Sequence, residues 1–521
     1  MKYAIGFVAT VIMTALAPWQ AQADVRLPHY FADNMMIQRD QPVSVCGWAA
    51  PGEVVKVTLA GKEASATADA NGRWALKLAA LKEGENLTLM VAGKNTITFK
   101  NVLVGDIWLC SGQSNMEATM HNYATIDDIK KADFPHIRLI KIKHTQSAYL
   151  EEDVVADPVW QVCTPQTVPG ITAVGFYFAR EVHQKTGVPI GIVDASWGGT
   201  PIEPWTSAES METVPELKKA VTDRQQAIAT YTTNLPKAME AMDRWIATTK
   251  IALAKGTPLT VAPVIPVHPS VDWTGAWCGM YNAMIHPLTQ YPIKGVLWYQ
   301  GESNHEGDPY YYKMCALIGG WRKQWGLGDF PFYYVQLAKF GYGPNDTDPA
   351  GGDGWARIFC AQARALRIPH TGMAVIMDTD SNLHPVNKYD VGLRLSRWAL
   401  VNEYGQKMEV SGPLFREMKV EGSKIRLFFD HVGAGLMVGK KTGREPTVEV
   451  KDGKLKRFAI AGTDKKWFWA EAVMDGANVV VSSPDVKEPV AVRYAFTQNP
   501  EGANLYNKDG LPASPFRTDD W

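Results

Sequence analysis

The stretch that decides the fold covers residues 102–117 and reads VLVGDIWLCSGQSNME. Its first half is apolar on both faces, a pattern typical of a strand buried in a parallel sheet. Small and polar residues follow directly, so Ser114 is predicted at the carboxyl end of that strand, where open α/β sheets hold their active sites. One serine in this position is weak evidence for catalysis, because a chain of 521 residues contains many serines.

Three later strand-like runs also end in clusters of glycine or polar residues. The sequence SWGGT follows the run 190–195, QGESN follows the run 294–299, and the segment 378–385 ends in His384 and Pro385. The carboxyl ends of parallel strands meet at one edge of a sheet, so these clusters predict a single site. Together they supply a nucleophile, backbone amides, a side-chain amide and a base, which are the groups that acyl transfer requires.

Ser114 is the candidate nucleophile, and His384 is the candidate general base. His384 follows the last predicted strand by a short loop and precedes a helix that begins with Pro385, a common first helical residue. His268 and His286 also precede prolines, but neither follows the end of a strand.

The predicted oxyanion donors are the backbone N–H groups of Ser114 and Gly199 and the side-chain amide of Asn304. Glycine at position 199 lets the backbone approach a ligand where a Cβ would block it. The pair Gly198-Gly199 is equally compatible with a simple tight turn, and Asn304 with an Asx-turn.

Hydrophobic patterning divides the chain into regions. Residues 24–101 alternate in short runs with turn signals and predict a small β-sandwich. Residues 102–405 predict an α/β domain with a parallel sheet and helices on both faces. An insertion at about 207–256 is interpreted as two antiparallel amphipathic helices, with a break at Asn234-Leu235-Pro236. Residues 406–521 return to alternation and predict a second β domain.

The N-terminus has the pattern of a secretory signal peptide. Lys2 precedes the apolar stretch 5–17, and Ala21-Gln22-Ala23 is typical of a cleavage site, so residues 1–23 are predicted to be removed. We therefore expect a periplasmic or secreted protein that has no membrane span after cleavage, because no apolar run reaches about 18 residues.

The charge balance and the cysteines exclude other classes. The net charge is −1 and basic runs are absent from the sequence, which argues against a nucleic-acid partner. The six cysteines include no C-x-x-C pair, so no metal site is predicted.

Four sequence blocks in fixed order carry a resemblance to a known family: GQSNM, WGGTPIEPW, WYQGESN and HP. They resemble the SGNH hydrolase superfamily and, more closely, its sialate O-acetylesterase family of carbohydrate acetylesterases. The resemblance implies a three-layer catalytic domain flanked by a β domain on each side. It also implies Ser114 as nucleophile, His384 as base, and Gly199 and Asn304 in the oxyanion hole, with no cofactor.

The sequence departs from that superfamily at one point. Members usually carry an aspartate two or three residues before the histidine, where this chain has Asn382 and Ser381. The nearest carboxylates belong to Asp380 and Asp378. We predict that Asp380 orients His384. The alternative is a backbone carbonyl in that role, which would leave a serine–histidine dyad.

The predicted function is that of an exported serine esterase, which removes acetyl groups from carbohydrates through an acetyl-serine intermediate. By resemblance, O-acetylated sialic acid is the leading substrate, and Gln113, Gln300 and Glu302 are candidate substrate-binding residues. The alternatives are an acetyl esterase for xylan or xyloglucan and a catalytically silent glycan-binding protein. A glycosidase with Glu302 and Asp380 as its carboxylates would leave Ser114 and His384 without a role.

Overall fold

The computed structural model describes residues 24–155, 159–272, 277–304, 306–341 and 347–521. The predicted signal peptide, residues 1–23, lies outside the described residues. Within the described ranges, no helix has both the length and the apolar character needed to cross a membrane.

The N-terminal region consists of short strands: β1 (Met36–Gln38), β2 (Val43–Trp48), β3 (Val54–Leu59), β4 (Lys62–Thr67), β5 (Arg73–Leu78) and β6 (Leu87–Ala92). Strands β2 and β5 pair with each other, while β3 pairs with both β4 and β6. Alternate residues of these strands are buried in one apolar cluster, which includes Val45, Val57, Trp74 and Leu89.

The next strand, β7 (Thr96–Gly112), belongs to two sheets at once. Its first part pairs antiparallel with β6, and its last part pairs in parallel with strands of the central sheet. The predicted boundary at 101/102 therefore falls inside one continuous strand.

The central sheet is completed by β8 (Phe134–Lys141), β9 (Gln161–Cys163), β10 (Ile190–Ser196), β11 (Gly295–Tyr299), β12 (Phe332–Val335) and β13 (Thr371–Ala374). The strand order is β13-β12-β11-β7-β10-β8-β9, and only the edge pair β8 and β9 is antiparallel. The predicted parallel α/β sheet is confirmed. Strand β8 was not predicted, because Arg138 and Lys141 interrupt its apolar pattern.

The described residues form the helices α1 (Ser114–Glu117), α2 (Met120–Tyr123), α3 (Ile126–Lys130), α4 (Ala173–Thr186), α5 (Ala208–Glu212), α6 (Lys218–Lys255), α7 (Tyr310–Trp325), α8 (Gly354–Arg364) and α9 (Lys388–Asn402). Of these, α4, α7, α8 and α9 cover the central sheet. Consecutive residues of each strand enter different apolar clusters. Trp108 and Ile192 pack with residues of α4 and α9, whereas Leu109 and Val193 pack with residues of α7 and α8. The three-layer arrangement follows from this alternation.

The predicted pair of helices in the insertion is wrong. Residues Lys218–Lys255 form one helix of 38 residues with Pro236 inside it, and the helix has no buried residue. Proline removes one backbone hydrogen bond and costs about 3 kcal/mol within a helix. Good helix formers lie on both sides, Ala, Lys and Gln before Pro236 and Ala, Lys, Glu and Met after it, and they favour the helix strongly enough for it to continue through Pro236.

The C-terminal region is formed by strands β14 (Leu414–Glu421), β15 (Lys424–Asp430), β16 (Leu436–Lys440), β17 (Val448–Glu449), β18 (Phe458–Gly462), β19 (Trp467–Trp469), β20 (Glu471–Asp475), β21 (Asn478–Ser482), β22 (Pro489–Tyr494), β23 (Leu505–Asn507) and β24 (Phe516–Arg517). Their small antiparallel sheets share one apolar cluster. The region docks on the central domain, where Gln336 donates to the Ser514 hydroxyl at 2.8 Å and Arg517 to Asp308 at 3.1 Å.

Candidate active site

A sharp corner places Ser114 at the carboxyl edge of the sheet. Strand β7 ends at Gly112, whose φ is +133°, and a Cβ there would lie 2.1 Å from the carbonyl oxygen of Tyr299 in β11. Only glycine permits this approach. The N–H of Gln113 then donates to the same carbonyl at 3.0 Å. The corner is thus fixed against β11, and Ser114 begins α1.

The structure brings the candidate base to the candidate nucleophile. His384 lies in the loop between β13 and α9, and its Nε2 is 2.8 Å from the Oγ of Ser114. Burial, followed by the nearby cation of Lys388, lowers the pKa of His384 below its ordinary value. The imidazole is therefore neutral at pH 7, and Nε2 can accept the hydroxyl proton of Ser114.

Neither candidate carboxylate contacts the imidazole. Asp380 Oδ1 accepts from the N–H of Val386 at 3.1 Å, and Asp378 forms two hydrogen bonds with Arg394, at 2.6 and 2.8 Å. Among the described residues, no carboxylate is hydrogen-bonded to His384. The prediction that Asp380 orients His384 thus has no supporting contact, because Asp380 braces the backbone of the same loop instead.

The glycine loop after β10 lies against the nucleophile. A Cβ on Gly198 would be 3.2 Å from the Cβ of Ser114, and the φ of Gly199 is +76°. In the part of the chain that the structure describes, the N–H groups of Ser114 and Gly199 donate to no other residue. Two free amides beside a serine hydroxyl provide what an oxyanion hole requires.

Glu117 and His144 hold the glycine loop in place, and sequence reasoning missed both. Glu117 accepts from the N–H of Gly198 at 2.7 Å and from His144 Nε2 at 3.1 Å. Burial raises the pKa of Glu117, but these hydrogen bonds outweigh it, and the net pKa is below the ordinary value. The His144 ring stacks on Trp197 with 4.4 Å between ring centroids. The sequence did offer one signal for Glu117, namely its position one helical turn after Ser114, which places the two side chains on the same side of α1.

Asn304 is buried and fully engaged. Its Oδ1 accepts from the N–H of Ile202 at 3.0 Å and from Gln300 at 2.8 Å. Its Nδ2 donates to Glu203 at 3.1 Å and to Glu306 at 3.3 Å. The contact with Ile202 ties Asn304 to the segment that follows Gly199, so the two predicted donors belong to connected loops.

The candidate substrate-binding residues are buried in contacts between loops. Gln113 Oε1 accepts from Gln300 Nε2 at 3.1 Å and from the N–H of Ser303 at 3.2 Å. Gln300 is 0% exposed, and Glu302 is 7% exposed and accepts from Asn115. A substrate that enters from solvent cannot reach Gln300. All three residues contact neighbouring loops, and their role in binding substrate stays a prediction.

A further buried cluster behind Ser114 and His384 was also missed. Asn115 donates from Nδ2 to the carbonyl of Leu383 at 2.9 Å, and its Oδ1 accepts from Lys388 Nζ. Asn115 is in the same sequence block as Ser114, but nothing in the sequence relates it to Leu383 or Lys388. The pairing depends on tertiary packing alone.

Comparisons with known proteins agree on one family. The profile of the family described as carbohydrate esterase, sialic acid-specific acetylesterase, matches residues 104–239 and 270–384, which contain the first three polar clusters and the fourth as far as His384. The sialate O-acetylesterase of Homo sapiens is 28% identical over 541 residues, covering 94% of this chain and 92% of the human protein. That of Mus musculus is also 28% identical, covering 93% of each chain.

A solved structure extends the agreement to the whole chain. The crystal structure of a carbohydrate acetylesterase from Xanthomonas citri has a TM-score of 0.76 and 34% sequence identity. The match covers 96% of this chain and 100% of that one. Both flanking β regions are therefore part of the shared architecture.

Proposed function

The chain belongs to the sialate O-acetylesterase family of carbohydrate esterases, and from that premise we propose that it is an exported serine esterase that deacetylates sialic acids. Family membership makes it a carboxylic ester hydrolase. The observation that carries the serine mechanism is the 2.8 Å contact between His384 Nε2 and Ser114 Oγ.

In the first step, Ser114 Oγ attacks the acetyl carbonyl carbon while His384 Nε2 takes the hydroxyl proton. Negative charge develops on the carbonyl oxygen, next to the free N–H groups of Ser114 and Gly199. Asn304, the third predicted donor, directs its Nδ2 hydrogens to Glu203 at 3.1 Å and Glu306 at 3.3 Å, so its part in the oxyanion hole stays a prediction. Donors fixed before the reaction stabilise this charge without reorganisation.

The intermediate then collapses to an acetyl-serine. The C–O bond to the sugar breaks, and the imidazolium of His384 gives its proton to the departing sugar oxygen. A water molecule next loses a proton to His384 and attacks the acetyl carbon. The bond between the acetyl carbon and Ser114 Oγ then breaks, His384 returns the proton to Oγ, and acetate leaves, so one histidine serves both half-reactions.

His384 works without a carboxylate partner in this scheme. Contacts of the loop that carries it position its backbone: Asp380 accepts from the Val386 N–H, and Asn382 Oδ1 accepts from the backbone N–H of His384 at 3.2 Å. We therefore propose a serine–histidine dyad; the backbone carbonyl that the sequence analysis offered as an orienting group stays a prediction.

A chromogenic acetyl ester tests the mechanism on residues 24–521. Ser114→Ala is expected to abolish hydrolysis, while Ser65→Ala, an exposed serine of β4, serves as the matched control with wild-type rates. Equal hydrolysis by wild type and Ser114→Ala would exclude the serine mechanism and favour a silent glycan-binding protein.

Acetate release from a substrate panel tests specificity. The names of the human and mouse relatives support O-acetylated sialic acids as the substrate. Faster release from acetylated xylan or xyloglucan oligosaccharides would instead assign the enzyme to plant polysaccharides.

The proposal of export is tested by expressing the full chain and fractionating the cells. Lys2, the apolar stretch 5–17 and the small residues at 21 and 23 support cleavage before Asp24. Mass spectrometry of the exported protein should give Asp24 as the first residue. An intact N-terminus in the cytosolic fraction would contradict export.

A further inference from the structure

Asn115 connects the nucleophile, the base and a third loop. It is 0% exposed and directly follows Ser114. Its Nδ2 donates to the carbonyl of Leu383, the residue before His384, and to Oε1 of Glu302. One side chain therefore joins the residue after the nucleophile to the residue before the base.

Lys388 fixes the orientation of this amide. Its Nζ donates to Asn115 Oδ1, which leaves both Nδ2 hydrogens for Leu383 and Glu302. Without this donor the amide could rotate, because a neutral amide presents a similar shape in either orientation. Lys388 thus determines that the nitrogen of the Asn115 amide, and not its oxygen, meets the Leu383 carbonyl.

The surroundings of Lys388 are costly for a cation. The side chain is 0% exposed, and Nζ lies 4.9 Å from the ring centroid of Tyr123 and 5.4 Å from that of Tyr299. Burial lowers the pKa of Lys388 to about 7, against the opposing charges of Glu302 and Asp380. A well-packed apolar side chain in such a place is often neutral or stabilising. Fold stability therefore does not account for this lysine.

We propose that Lys388 and Asn115 are positioning residues for the ester hydrolysis: Lys388 orients Asn115, and Asn115 holds Leu383 so that His384 stays in line with Ser114. This inference rests on the proposed serine mechanism. The pair does by hydrogen bonds to the backbone what an orienting carboxylate does in other serine hydrolases. The hydrogen bond from Asn115 to the Leu383 carbonyl, here called the clamp, holds the loop in place, and the loop determines the position of the His384 ring.

The charge of Lys388 has a separate, measurable effect on His384. The groups that face the two residues are Ser114 from α1, Tyr123 at the end of α2, Tyr299 from β11, Glu302 from the third loop and Asp380 from the loop of His384. Burial and then the Lys388 cation lower the pKa of His384. His384 must be neutral to act as the base. Removing the cation should therefore raise its pKa and move the acid limb of the pH–rate profile to higher pH.

Two variants separate positioning from charge. Asn115→Ala removes the clamp and keeps the cation, so kcat should fall about ten- to a hundredfold, KM should stay within about twofold, and the acid limb should not rise. Lys388→Met removes the cation and also the donor that orients Asn115, so kcat should fall by a similar factor and the acid limb should move to higher pH. Lys131→Met, an exposed lysine paired with Asp127, is the control and should match the wild type.

The outcomes that overturn the inference are distinct. If Asn115→Ala retains the wild-type kcat, Asn115 does not position His384. If Lys388→Met leaves the acid limb unchanged, the charge of Lys388 does not act on His384. The position of the limb does not depend on the amount of folded enzyme, so it can be read even from a poorly folding variant. Ser114→Ala is measured alongside. If Ser114→Ala retains full activity, the proposed serine mechanism is wrong. If Ser114→Ala is inactive while Asn115→Ala and Lys388→Met behave as the wild type, only the present inference is wrong.

Discussion

The corner that carries Ser114 and the loop that carries His384 are fixed in opposite ways. The corner depends on backbone geometry: the positive φ of Gly112 and its close approach to the Tyr299 carbonyl. The loop depends on side chains from elsewhere, namely Arg394 of α9, which binds Asp378, and Asn115 of α1. Backbone requirements leave a trace in the local sequence, whereas contacts between distant side chains do not.

The strongest way to break the His384 loop is to remove Arg394. Arg394→Met leaves the buried Asp378 carboxylate without its partner, which typically costs about 3–5 kcal/mol. We expect the free energy of unfolding to fall by about this amount, measured by urea denaturation. Replacing the exposed Arg416, which pairs with Asp430, by Met is the control and should change it by less than about 1 kcal/mol. Equal effects of the two variants would show that the ion pair does not anchor the loop.

The corresponding change in the corner is Gly112→Ala. The new Cβ would meet the Tyr299 carbonyl at 2.1 Å in a backbone region that L-residues avoid, so unfolding should become easier by about 3 kcal/mol. Hydrolysis should fall at least about a hundredfold, because Ser114 is displaced. Gly170→Ala, which has open space around its Cβ, should have little effect on either measurement. An active, stable Gly112→Ala protein would refute the account of the corner.

Asp380→Asn sharpens the comparison within the loop. If Asp380 oriented the imidazole, turnover would fall about 10⁴-fold, as it does when the orienting carboxylate is lost in other hydrolases. The structure gives Asp380 one hydrogen bond, to the Val386 N–H, which an Asn oxygen can also accept. We expect kcat to fall less than about tenfold. A loss near 10⁴ would restore Asp380 as the orienting residue.

The smallest effect is expected at Glu117. Its pKa is lowered in the folded state, so its contribution to stability is present above the ordinary carboxyl range and disappears as the pH falls through the folded-state value. Glu117→Gln should therefore cost about 1 kcal/mol at pH 7 and nothing once the carboxyl is protonated. Urea denaturation of both proteins at neutral and acidic pH measures this difference. If the difference in unfolding free energy between the two proteins persists at acidic pH, the charge of Glu117 is not its cause.

The sequence was sufficient for the central strands of the sheet and for the polar clusters that follow them, but not for the edge strands β8 and β9. Apolar strands and glycine-rich ends are local features, so β7, β10 and β11 and the clusters after them could be located. Lys388 could not be assigned, because a lysine in the first turn of a helix is normally solvated. Pro236 led to the wrong prediction of two helices for the opposite reason: its local signal for a helix end is strong, but the helix-forming residues around it outweigh that signal.

Strand β7 has a practical consequence for engineering. The N-terminal strands and the corner that carries Ser114 share one backbone, so a graft that exchanges the N-terminal region at 101/102 would cut a strand rather than a linker. Such a chimaera would lose the pairing of β1 with residues 103–105 and open the apolar cluster common to both modules. Substrate-binding modules for this enzyme are better fused outside the N-terminal region than substituted for it.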